Sequence, residues 1–221
     1  MRLNIVLEIG PKKYALNGNL YQDEYLKNKI DQKTYWLKCL TESNLENLQP
    51  IKENSYFVDV ETISDEALTI ILDKELEVLL EKNINEINWE EYKDEQVFLH
   101  GGLVLEYENK VIIEPTCCTD LGDISNWEEI KTAPEDKWIM LWIGHPWIFY
   151  RRKNTIIEFS DYTQTEKGLF PKYQLNLAEF YQALEKIKLK KAQFEKRVKQ
   201  ILEEMNLKHA AEIAQGITAN T

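Results

Sequence analysis

Three cysteines, eight glycines and six prolines in 221 residues leave little room for several architectures. The odd, low cysteine count excludes a disulfide framework and suits a reducing compartment. Sparse glycine and proline exclude collagen-like and low-complexity chains. Long apolar runs are missing too: the longest, Trp138 to Ile143, falls far short of the roughly 20 residues a membrane helix needs. The opening residues Met1 to Ile9 alternate like a strand and show no basic-plus-apolar leader. A cytoplasmic, unanchored protein without membrane association is therefore expected. Gly-x-x-x-x-Gly-Lys, Gly-x-Gly-x-x-Gly and Gly-x-Ser-x-Gly are all missing, as are Cys-x-x-Cys and His-x-x-x-His. Nothing in the sequence calls for a metal or a cofactor.

What is present is apolar and acidic. A hydrophobic content of 43%, with 11% aromatics, is ample for one large core. Net charge is −11, unevenly spread. Between Glu185 and Lys199, seven basic residues (Lys186, Lys188, Lys190, Lys191, Lys196, Arg197, Lys199) face two Glu, so the window carries +5 and the remainder −16. An acidic body repels phosphate backbones and favours a basic partner, so nucleic-acid binding is expected, if anywhere, only through the Lys186–Lys199 window.

The sharpest pattern lies near the C-terminus. Leu177, Phe180, Leu184, Ile187, Lys191, Phe194, Val198, Ile201 and Met205 follow alternating three- and four-residue steps, and Lys191 is the single polar intrusion. This 3.5-residue period marks a helix with one apolar seam, roughly 43 Å long at 1.5 Å per residue. Such a seam predicts a docking or oligomerisation arm whose contact residues are Leu177, Phe180, Leu184, Ile187, Phe194, Val198, Ile201 and Met205. A structural homo-oligomer subunit is one reading of it.

The rest reads as α+β, mainly an antiparallel sheet built from hairpins and flanked by helices. Residues 1–165 form the expected globular domain, and residues 176–215 the long C-terminal helix. Residues 3–9 and 56–60 read as strands and residues 21–44 as mostly helical, with Tyr25, Leu26, Ile30, Leu37 and Leu40 as core candidates. Thr62 or Ser64 caps a helix carrying Leu68, Ile71, Leu72, Leu76, Leu79 and Leu80. Residues 84–95 read as an acidic connection with a short helical turn. Residues 103–107 and 111–114 make a hairpin, where a three-residue loop pairs Tyr107 with Val111 and Leu105 with Ile113. Ser125 and Glu128 suggest a capping box, Trp138 to Ile143 a central strand covered on both faces, and residues 147–152 and 155–160 a second hairpin. Residues 163–176 read as a loop, ending where Asn176 caps the long helix.

Chemistry concentrates in Glu114 to Asp123, where Cys117 and Cys118 adjoin Asp120 and Asp123. A three-residue hairpin loop sets His100 opposite Cys118, and a two-residue loop sets it opposite Cys117. The Cys117, Cys118, His100 and Asp120 set would suit a thiol-dependent hydrolase or transferase, the imidazole making thiolate available. The bland alternative is a pair of small thiols buried at a sheet edge. Trp127, Trp138, Trp142 and Trp147 fall in one stretch and read first as core. One of them exposed beside acids would instead be an aromatic anchor for a basic protein. The sequence thus points to a non-enzymatic bacterial interaction protein of the immunity or antitoxin type, an acidic inhibitor of a basic partner. Its contact candidates are Asp120, Asp123, Trp127, Glu128, Glu129 and Trp147.

Overall fold

Among the described residues, two four-stranded antiparallel sheets and six α-helices make this an α+β fold. The computed structural model describes residues 1–77 and 98–218. Leu79, Leu80 and the acidic stretch 84–95 lie outside the described residues. The chain divides into two compact units, one of Met1–Ile5, His100–Phe194 and Thr218–Thr221, the other of Val6–Leu99 and Glu195–Ile217. The long helix contributes to both.

One sheet has the order β2-β1-β3-β4, from β1 (Arg2–Glu8), β2 (Phe57–Asp59), β3 (Gly101–Tyr107) and β4 (Lys110–Ile113). The β3–β4 turn has two residues, Glu108 and Asn109, both at positive φ (52° and 60°), which is the two-residue hairpin geometry matching strand twist. Tyr107 therefore faces Lys110 rather than Val111, and Glu106 faces Val111. A bulge between Leu105 and Glu106 then restores the expected Leu105–Ile113 pair. Burial of both side chains fixes that outcome, since a slip would turn them to solvent.

The other sheet has the order β5-β6-β7-β8, from β5 (Ile139–Leu141), β6 (Ile148–Lys153), β7 (Ile156–Phe159) and β8 (Tyr173–Asn176). Two expectations are corrected here. The Trp138–Ile143 run supplies an edge strand, and Met140 is 41% exposed, so the run is not covered on both faces. The stretch expected as loop contains β8, which pairs Leu175 with Ile157 and Tyr173 with Phe159. Its alternation is too short for the pattern to stand out in sequence.

In the second unit, the stretch 21–44 expected as mostly helical is two helices, α1 (Gly18–Leu26) and α2 (Gln32–Thr41), with a break between them. Asn28 adopts φ 53°, and Asp31 caps the new start by accepting from the Thr34 amide at 2.7 Å. The break resets the helical phase, so Tyr35, Trp36, Cys39 and Leu40 are buried while Leu26 and Leu37 are exposed. Helix α3 (Asp65–Glu75) begins at Ser64, whose hydroxyl accepts from the Ala67 amide at 3.2 Å. Arg197 holds the connection before it, donating to the carbonyls of Val60 and Ile63 and pairing with Asp65.

Helix α4 (Ile124–Glu128) is short, and helix α5 (Leu177–Glu204) is the long one. Asn176 Oδ1 accepts from the Glu179 amide at 3.0 Å, as the cap pattern predicts. Phe180, Leu184, Ile187, Phe194, Val198 and Ile201 are all buried by this chain alone, Phe180 and Val198 completely. The Phe180 ring lies 6.2 Å from Trp127 and 5.9 Å from Phe159. Six of the eight seam residues expected to meet a second copy are thus covered within the chain, and Leu177 and Met205 at its ends are half-buried. Asn206 at φ 63° ends the run, and α6 (Ala210–Thr218) follows with Ile213, Ala214 and Ile217 buried.

Candidate functional site

Two loops that are remote in sequence meet in the first unit. The segment after β4 carries Thr116, Cys117 and Cys118, and the segment between β5 and β6 carries Trp142, Gly144, His145 and Trp147. Thr116 joins them, its amide and hydroxyl both donating to the Ile143 carbonyl at 2.8 and 2.9 Å. Cys117 and His145 then form an antiparallel bridge. Gly144 sits at φ 96° directly against the Cys117 carbonyl oxygen, where a Cβ would collide. Only glycine meets both conditions.

The expected thiol–imidazole pairing is therefore re-partnered. His100 bridges to Asp120, not to either cysteine, and its Nδ1 lies 3.4 Å from the Thr119 carbonyl. Between the Leu105–Ile113 pair and the His100–Asp120 bridge, the chain leading to Asp120 has two more residues than the chain leading back to His100, and this moves His100 past both sequence-based alternatives. Cys117 and Cys118 are exposed thiols, which also overturns the reading of two thiols buried at a sheet edge. Cys118 takes φ 69°. The buried thiol is Cys39, pushed up to about 11 by burial.

His145 is exposed and lies between two indoles. The Trp142 ring is edge-on at 5.4 Å and the Trp147 ring tilted at 4.8 Å between centroids. Both tryptophans are half-buried. Their contacts limit the rotation of the imidazole, and the His145–Pro146 peptide is cis. No sequence pattern announced His145 as the residue beside Cys117, because the two lie 28 positions apart with no shared periodicity.

The acidic residues behave differently from expectation. Asp120 and Asp123 form a reciprocal capping box over the turn Leu121–Asp123, which takes the place of the Ser125–Glu128 box read from the sequence. Asp120 Oδ1 accepts from the Gly122 amide at 2.6 Å, and Asp123 Oδ2 from the Asp120 amide at 3.3 Å. Burial pushes the Asp123 carboxyl up. The Asn126 amide donates both to Asp123 Oδ1 at 3.2 Å and to the Trp142 carbonyl at 3.1 Å. It thereby ties the acidic turn to the aromatic loop. Trp127 is fully buried against Phe159 and Phe180, so it is a core residue and not a contact residue. Glu128 and Glu129 are exposed, with Glu128 3.7 Å from Lys188.

The basic window on α5 is partly neutralised within the chain. Arg197 pairs with Asp65, Lys188 with Glu128 and Glu185, and Lys199 with Glu203. An open depression of about 190 Å³ near the start of β1 is lined by Arg2, Lys186 and Lys190 beside Glu179. Among the described residues no group of three His, Cys, Asp or Glu side chains is arranged to hold a metal ion, and no helix is long and apolar enough to cross a membrane. No protein-family model matches the chain, and no match was found among curated proteins or among solved structures.

Proposed function

We propose that this chain is a non-enzymatic interaction protein that recognises a basic protein partner through the paired 116–120 and 142–147 loops. The observation that carries the reading is the Asn126 link, which sets half-exposed Trp142 beside the Asp120–Asp123 turn. Aromatic side chains in a rigid setting supply contact area at low entropic cost, and adjacent acids steer a cationic surface toward them. Glu128 and Glu129 extend the negative field on the exposed side of the same segment. Neutralisation of a basic toxin, in the manner of an immunity or antitoxin protein, is the concrete form of this proposal. Trp142, Trp147, Glu128 and Glu129 are its contact residues, with Asp120 and Asp123 shaping the turn.

The test is calorimetric titration with the basic proteins encoded by neighbouring genes, at low and high salt. W142A should weaken binding by about tenfold or more, since truncating an interface anchor costs on the order of 2 kcal/mol. Paired E128Q and E129Q substitutions should chiefly flatten the salt dependence. Binding indifferent to both changes, or no binding by any such protein, contradicts the proposal.

A further inference from the structure

The exposed thiols have a chemistry of their own that a docking surface does not use. Paired residues of an antiparallel bridge project to the same side, with Cβ atoms about 4.5–5.5 Å apart in regular pairing. The Cys117–His145 bridge therefore directs a thiol and an imidazole to one side of the double loop, and both residues are exposed. Trp142 and Trp147 flank the ring, and Gly144 leaves no slack between the strands.

From this arrangement we infer that Cys117 is a nucleophilic thiol, with His145 as its proton acceptor, acting on small disulfides by thiol–disulfide exchange. His145 takes the Cys117 proton, and the sulfur attacks one sulfur of the disulfide. The old S–S bond breaks, and a mixed disulfide forms on Cys117 as a second thiolate leaves. That leaving thiolate recovers the proton from His145. Cys117 is oxidised and the departing half of the small disulfide is reduced, so the step balances without another oxidant. The substrate class follows from what the site offers. Acyl transfer needs donors aimed at a developing oxyanion, whereas displacement at sulfur needs only a thiolate and access. Here the thiol stands in the open, and the adjacent Cys118 is a second thiol on the same loop. The other ionisable groups near the pair are Asp120 on its own loop, His100 bridged to Asp120, and Asp123 in the capped turn. Both carboxylates accept hydrogen bonds from backbone amides of that turn.

The experiment uses the full chain carrying C118S, so that Cys117 alone reports. Iodoacetamide alkylation and reaction with oxidised glutathione are followed by peptide mass spectrometry. Substituting His145 by Gln in this background should slow both reactions about tenfold near neutral pH. The difference should vanish near pH 10, where thiols ionise without help. H100Q should leave the rates unchanged. Buried Cys39 is the internal control for folding of the second unit, and an unchanged near-ultraviolet circular dichroism spectrum, which includes the buried Trp127, that for the first. Equal rates with and without the His145 imidazole, while Cys39 stays protected, overturn the inference. So does a slowing produced by H100Q and not by H145Q. If H145Q exposes Cys39, the milder H145N is read the same way.

Discussion

The apolar seam of α5 and the double loop at Cys117 make opposite use of the sequence. The seam repeats a local pattern over seven turns, and its side chains end inside: Phe180 touches Trp127 and Phe159 and is completely buried. The double loop has no pattern, and its polar and aromatic groups stay accessible: Cys117, Cys118 and His145 are exposed between half-buried tryptophans. A strong periodic signal here marks what the chain needs for its own stability. The residues available to other molecules come from two segments that meet only in the fold.

Substitutions can break this contrast from either side. The largest effect is expected at Phe180, where F180A opens a cavity beneath two aromatic rings. Chemical denaturation should show a loss of about 3–5 kcal/mol. A much smaller loss would mean that the seam is not core. Next comes Gly144, whose φ of 96° and contact with the Cys117 carbonyl leave no place for a side chain. G144A should cost about 1–3 kcal/mol and also remove the effect of His145 on Cys117 alkylation. Retained His145 dependence in that variant would show that the loop junction does not position the pair.

The smallest effect concerns a surface carboxylate that belongs to neither region. Glu42 is held down at about 2, first by hydrogen bonds from the Asn17 amide group and the Tyr21 hydroxyl and then by the Asn17 backbone N–H. A depressed carboxyl contributes stability above its ordinary value of 4.5 and loses it as pH falls toward 2. The unfolding temperature should therefore fall more steeply over that window in the native chain than in E42Q. Parallel curves would contradict the cause assigned to the shift.

How far the sequence was legible depends on range. Caps at Ser64 and Asn176 are local and involve a side chain and an amide three positions on; Asn176 is read directly and Ser64 as one of two alternatives with Thr62. The helical period of α5 and the Leu105–Ile113 pair are legible for the same reason. The turn at Glu108–Asn109 was harder, because it adopts positive φ without the glycine that usually marks such a turn. The misplacement of His100 has another origin, two extra residues between Ile113 and Asp120 that no local pattern marks. The edge position of β5 could not be read at all, since strand order and not composition decides which apolar run is covered. The Cys117–His145 bridge is the extreme case. Each residue stands in a visible motif, but only the sheet connections bring the two motifs together.

Hydroxyl-radical footprinting of the intact chain over a concentration series measures both regions at once. Phe180 and Phe194 should resist modification at every concentration, while Trp142, His145 and Cys117 are modified readily even when dilute. Phenylalanines that react in dilute solution and become protected as the chain is concentrated would show instead that α5 is a seam between copies, contradicting the account.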